Sequence, residues 1–213
     1  MFKPQTLLLL FFLLISFTWL FSSGLWKRTE TAWAADNPKH HQFAAHSLKK
    51  IKLKAAEAKL FVQQKGYNDA ICLLADMSLP SGQNRFFVYN FNKDTLLNSG
   101  LVTHGRCNQY WLEGRKYGNT VGCGCTSLGK YKVGNSYNGR FGLAYKLYGL
   151  DKTNDKAFQR FVVLHAHDCV PETEVKDDIC QSDGCPTVSP GILQWLKPVI
   201  NESKKPVLLW MYE

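Results

Sequence analysis

Acidic side chains are scarce in this sequence. Of 213 residues, 17 are Asp or Glu against 26 Lys or Arg, a formal net charge of +9. The surplus is spread along the chain, with no packed basic arm, so it points only weakly to an anionic partner. Internal repeats and low-complexity tracts are lacking, and no nucleic-acid-binding module is recognisable. Long apolar runs are nearly absent. Only residues 7–21 are apolar enough to enter a bilayer, which excludes a polytopic membrane protein. What is present is a globular composition. Hydrophobic residues make up 45% and charged residues 20%, which excludes a disordered tail or a collagen-like fibre. Sixteen glycines and 13% aromatic content suit a turn-rich fold with a substantial core. The length allows one domain with a leader, but not two large domains.

The apolar run follows a single lysine, Lys3, and is followed by small residues, the pattern of an export signal. Ala32-Trp33-Ala34 and Ser22-Ser23-Gly24 are both candidate cleavage sites. Uncut, residues 7–26 are long enough to span a bilayer at about 1.5 Å per residue. Residues 1–34 are therefore expected to be a signal peptide or an N-terminal membrane anchor, and the sequence leaves both open. Either way the rest of the chain belongs in the periplasm or cell envelope. Without Lys3, Lys27, Arg28 and Glu30 it carries +7, a charge that attracts wall polymers bearing free carboxylates.

In that compartment the seven cysteines become informative. Thiols outside the cytoplasm tend to pair, and an odd count leaves at least one free. Cys169 and Cys180 bracket a polar loop and are the expected bridge, which would stabilise the fold by roughly 2–3 kcal/mol. The remaining connectivity is open.

Residues 35–47 are polar and read as a linker. From His46 to Lys65, Leu48, Ile51, Ala55, Ala58 and Val62 recur at helical spacing with lysines opposite, predicting an amphipathic helix that stops at Gly66. Beyond it, apolar runs at 70–77, 85–91, 95–103, 129–133, 141–148, 161–165 and 207–212 alternate with turn signals. One helix interrupts them. Ser189 is an N-cap, Pro190 suits the first helical position, and Ile192, Leu193, Leu196, Val199 and Ile200 form one face. The expected organisation is a linker and helix over 35–67 and a mainly β domain over 68–213.

Chemistry concentrates in Phe161-Val-Val-Leu-His165-Ala-His167, a loop, and Ser182-Asp183-Gly184-Cys185-Pro186. An apolar strand delivers a histidine at its end, and Gly184 lets backbone approach a ligand closely. Cys185 lies ahead of the capped helix, whose dipole would favour a thiolate. A nearby imidazole would lower the thiol pKa further and carry its proton.

This pattern resembles the catalytic core of the L,D-transpeptidase (YkuD-type) family, in which a histidine precedes Ser/Thr-x-Gly-Cys by a similar interval. It is closest to the branch with proline after the cysteine. Asp76-Met-Ser-Leu-Pro-Ser81, Arg85-Phe-Phe-Val and Leu101-Val-Thr-His104-Gly105 resemble that branch's early strands. The resemblance implies a β-sandwich or mixed-sheet fold with a flanking helix after the nucleophile. It implies Cys185 as nucleophile and His165 as general base, with Ser182 and Gly184 shaping the site. Backbone N–H groups around Gly184 and Cys185 would form an oxyanion hole. His104 and His167 are further candidates for the substrate cleft. Strand alternation puts His165 and His167 on one side; Leu164-His165-Ala166 fits the family pattern better. The motif departs from the family where Asp183 replaces a common histidine, Ala166 a glycine and Pro186-Thr187 a branched residue and arginine. A substrate carboxylate must then find another cation, expected within 106–130.

The implied reaction is acyl transfer on peptidoglycan stem peptides through a Cys185 thioester, with no cofactor, metal or obligate protein partner. An amine acceptor gives a 3→3 cross-link, and water gives an L,D-carboxypeptidase. A carbapenem is an expected acylating ligand. Two rivals remain. Wall binding without catalysis is one. The other is metal binding through His165-x-His167-x-Cys169 and Cys123-Gly-Cys125, although those spacings match no standard zinc pattern.

Overall fold

Strand β1 (Ile71–Asp76) is buried along its whole length, because it lies between two partners and under side chains on both faces. It pairs antiparallel with β2 (Phe86–Asn90) and parallel with β8 (Leu208–Tyr212). With β3 (Thr95–Gly100), β4 (Gly129–Gly139), β5 (Gly142–Gly149), β6 (Val163–Ala166) and β7 (Thr187–Val188), they form one mixed sheet in the order β3-β2-β1-β8-β4-β5-β6-β7. The structure, a computed structural model, describes residues 38–213, with side chains from residue 48 onward. The expected leader, 1–34, lies outside the described residues. Among the described residues, no helix is long and apolar enough to cross a membrane.

Among the described residues two helices complete the fold, α1 (Pro38–Lys65) and α2 (Pro190–Asn201). Lys49–Glu213 forms one compact unit. On one face of the sheet, Leu73, Val88, Tyr131 and Leu164 pack with Ile192, Leu193 and Leu196 of α2. On the other face, Ile51, Ala55, Ala58 and Val62 of α1 cover Leu74, Phe87, Tyr89 and Leu208. That cover does not extend to β4 and β5, whose Lys132, Lys146 and Tyr148 belong to neither core.

The mainly β domain is confirmed, with local differences. Helix α1 begins at Pro38 rather than His46, over residues read as linker. Its Leu48 is exposed. Strand β4 runs past Val133 to Gly139 because a register shift between Val133 and Ser136 absorbs the polar Asn-Ser pair that reads as a turn. Strand β7 has two residues and no periodicity to reveal it. Helix α2 begins as expected. The Ser189 hydroxyl accepts the Ile192 N–H, and Pro190 opens the first turn.

Candidate functional site

The chain from β6 reaches β7 through a loop closed by the Cys169–Cys180 disulfide, the expected bridge. A second bridge joins Cys107 and Cys125, leaving Cys72, Cys123 and Cys185 free. Ser182-Asp183-Gly184-Cys185 is pinned at both ends by its neighbours. The Ser182 N–H donates to the His104 carbonyl (2.9 Å), and the Arg106 N–H donates to the Ser182 carbonyl (2.8 Å). The Ser182 hydroxyl accepts from the Gly184 N–H (3.1 Å) and donates to the Cys185 carbonyl (2.7 Å), closing the turn on itself. Thr103 donates to the same Cys185 carbonyl.

Gly184 has φ +110°, a conformation other residues rarely adopt. A Cβ there would lie 2.6 Å from the Cys125 carbonyl oxygen. Arg160 donates to that carbonyl as well as to Gly118 O and Ser127 Oγ, and its Nη2 would lie 3.3 Å from the same Cβ.

Cys185, His165, His167 and Ser182 line one cleft of about 360 Å³, a size ordinary for small-molecule and peptide sites. Cys185 Sγ accepts the Val163 N–H at 3.4 Å, and its S–H approaches the Phe161 carbonyl at 3.8 Å. Phe161 takes φ +57°, a strained setting for an aromatic residue and one that turns the chain into β6.

Burial raises the Cys185 pKa above its usual value, against lowering by the Val163 N–H and the Arg160 charge. The expected helix-assisted, imidazole-assisted thiolate is therefore corrected to a resting thiol. Burial is the leading cause, and the Asp183 charge adds to it. Two contacts accompany it. The N-terminus of α2 is occupied by Glu172, whose carboxylate accepts from the Gly191 N–H (2.7 Å) and the Ser189 hydroxyl (2.6 Å). The nitrogens of His165 are engaged elsewhere. Nδ1 lies 3.0 Å from the Ala166 carbonyl and Nε2 lies 3.0 Å from the Thr187 hydroxyl.

Those two contacts set the tautomer. A carbonyl only accepts, so Nδ1 carries the proton and Nε2 presents its lone pair to Thr187. Burial lowers the His165 pKa, with a further contribution from His167, and the ring is neutral at pH 7. Phe141, from the β4–β5 turn, stacks on it at 4.9 Å and 16°. His167 is exposed at the cleft, its Nδ1 accepting the Cys169 N–H and its ring edge-on to Phe141.

The other expected site residues divide. Gly184 is in place, but its N–H is spent on Ser182. The oxyanion-hole expectation is narrowed to the Cys185 N–H, which has no acceptor among the described residues. His104 is corrected from a cleft-lining group to a buried one. It is 3% exposed, and Arg85 Nη2 donates to its Nδ1 (3.1 Å). It serves the motif through its carbonyl, not its ring. Arg106 is the cleft's cation and falls in the expected 106–130 range; its Nε meets Asp183 at 2.7 Å. Thr187, Phe141 and Arg160 were not anticipated, since no motif marks them. The rival metal reading loses two of its three thiolates, because Cys169 and Cys125 are both in disulfides, and Cys123 alone of that set stays free.

His104 carries a pH prediction. Burial and the Arg85 charge push its pKa down to about 4, against an ordinary histidine value of 6.5. The unfolded chain therefore takes up a proton that the folded chain refuses. Stability from this residue is complete above pH 6.5 and is lost as pH falls toward 4, by up to about 3 kcal/mol. Urea unfolding at pH 7 and near pH 4 should show this loss in wild type. His104→Gln should show a smaller loss.

A family model described as the L,D-transpeptidase catalytic domain matches residues 44–212. The chain belongs to this family. Solved structures similar to this chain include L,D-transpeptidases and a cell-shape protein. An L,D-transpeptidase in complex with imipenem is 12% identical, with TM-score 0.41 over 67% of this chain and 58% of that one. The L,D-transpeptidase from Xylanimonas cellulosilytica is 15% identical, with TM-score 0.40 over 72% and 68%. The helical cell shape determining protein Pgp2 from Campylobacter jejuni is 17% identical, with TM-score 0.44 over 68% and 48%. This L,D-transpeptidase-family chain thus spans less than two thirds of the first and third of these structures. No curated protein matches it.

Proposed function

We propose that this protein is a cysteine-dependent acyltransferase acting on peptidoglycan stem peptides, exported or anchored through residues 1–34. One observation carries the reading. Of the three free thiols, Cys185 is the one that lines this cleft, and the His165 imidazole, with an accepting Nε2, lines the same cleft.

Cys185 leaves the Val163 N–H, and its thiol proton passes to Nε2 of His165 as Thr187 gives up that position. The sulfur then attacks the carbonyl carbon of the third stem residue, at its L-centre. The negative oxygen is met by the Cys185 N–H. The C–N bond to the terminal D-alanine breaks, and its amine leaves with the proton from His165. A thioester remains. An acceptor amine adds to that carbonyl and loses its proton to Nε2, which returns it to the departing sulfur. Water in the amine's place yields the shortened stem instead. Arg106 is the cation available to a substrate carboxylate, once it exchanges Asp183 for it.

Intact-mass measurement after mixing with a stem tetrapeptide should show an acyl adduct, mapped by proteolysis to the peptide containing Cys185. An adduct on Cys123, or turnover with every cysteine unmodified throughout, would sink the reading. Products then separate the acceptors, with cross-linked dimer for the amine and free tripeptide for water.

A further inference from the structure

The hairpin β4–β5, residues 129–149, contains no Asp or Glu but carries Lys130, Lys132, Arg140 and Lys146. Its register sets several of these side chains on one face. Lys132 is opposite Tyr148, and Tyr137 is opposite Ala144. Ala144 is in turn opposite His165, and Lys146 opposite Val163. Partners in a ladder share a face, and residues two apart on β5 share it too. Tyr148, Lys146 and Ala144 therefore form a row about 13 Å long that ends beside His165.

This face combines open rings with unneutralised cations. Tyr148 stacks on Phe158 at 4.9 Å and 10°, and Lys132 Nζ lies 4.6 Å from the Tyr148 ring. Lys146 Nζ lies 5.8 Å from the Tyr137 ring and 5.9 Å from that of Phe158. Phe158 is 52% and Tyr137 39% exposed. Among the described residues, neither Lys132 nor Lys146 has a carboxylate within salt-bridge distance, unlike Lys130, which is held by Asp151. At the far end, Lys132 and Tyr148 also line a separate cavity of about 610 Å³ with Lys204, Lys205 and Asn201.

We propose that the outer face of β4 and β5 is a track for a carboxylate-bearing glycan–peptide strand, running from the lysine-lined cavity to the cleft. Its rings lie under the apolar faces of the sugars, and its ammonium groups meet the stem carboxylates. The charge complementarity is what names the occupant: Lys132, Arg140 and Lys146, without a carboxylate partner among the described residues and with no acid on the hairpin, repel basic partners and concentrate acidic ones. Interleaved rings favour a polymer of stacked pyranoses over a simple anion. The track extends the proposed function and rests on its placing stem peptides in the cleft.

The test uses the full chain and two probes, purified peptidoglycan sacculi and a free stem tetrapeptide. Lys132→Gln/Lys146→Gln should weaken co-sedimentation with sacculi by about fivefold or more at low salt, with the difference shrinking as salt is raised. Cys185 acylation by the free tetrapeptide should be unchanged. Lys132→Glu/Lys146→Glu should weaken sedimentation further. Equal sedimentation of wild type and both variants would overturn the proposal. So would undiminished wild-type binding to sacculi whose carboxylates have been amidated, or a parallel fall in tetrapeptide acylation, which would make the face a support for the cleft. Wild type that is acylated by no stem peptide refutes the cleft reading, while sedimentation still decides the track.

Discussion

Replacing Cys185 with alanine is expected to abolish acyl transfer, by at least ~10⁴-fold in turnover of a stem peptide. No other group can take over. Cys72 is fully buried between the sheet and α1, where burial drives its pKa far up. Cys123 is outside the cleft lining. The Ser182 hydroxyl is committed to the Cys185 carbonyl and the Gly184 N–H. The variant should nonetheless fold, since the Cys185 side chain contributes only the weak sulfur contacts to Val163 and Phe161. A turnover assay with a melting curve checks both halves. Removing the base should cost less, because His165→Gln leaves the sulfur and its N–H in place; general-base catalysis contributes about 10²–10⁴-fold.

The second large effect is structural in origin. Gly184→Ala would force a side chain at φ +110° into the Cys125 carbonyl, 2.6 Å from the new Cβ. That carbonyl cannot yield freely. Arg160 grips it, and Cys125 is bridged to Cys107. We expect a loss of about 2–3 kcal/mol from strain and displacement, which lowers the melting temperature by about 5–10 °C. Activity should fall further than stability implies. The alanine sits next to Cys185, the proposed nucleophile, and a displacement of ~1 Å there costs about 100-fold. Calorimetry and the acylation rate of the same preparation separate the two effects. Wild-type values for both would show that the turn relaxes without moving Cys185.

The candidate site was legible where it follows chain order. His165 ends an apolar strand, Ser189 and Pro190 announce a helix, and Cys169 and Cys180 bracket a loop; each is a local pattern. What the sequence hides is what the sheet brings together. Thr187 reaches His165 because β7 pairs with β6 in parallel across a twenty-residue excursion. Phe141 reaches His165 because β4 and β5 project their turn over the cleft, and an aromatic in a Gly-Arg-Phe-Gly turn carries no mark of that role. Arg160 lies in an unremarkable polar run. His104 misled for the opposite reason. A histidine beside a glycine in a matching strand looks like a cleft residue, and only its partner Arg85 shows that the ring points inward. Helix position pointed to a lowered Cys185 pKa, whereas burial and the Asp183 charge raise it, and neither is visible from a helix start alone.

The resting protonation of Cys185 has a further consequence for a molecule that carries its own oxidised sulfurs. The Cys169–Cys180 bridge lines the same cleft, and disulfides are broken by thiolates, not by thiols. A permanently ionised nucleophile would therefore threaten the strut that braces its own chamber. In the proposed mechanism, holding the proton until a peptide arrives serves as a safety catch, sparing the scaffold from scrambling at the hands of its own reactive atom.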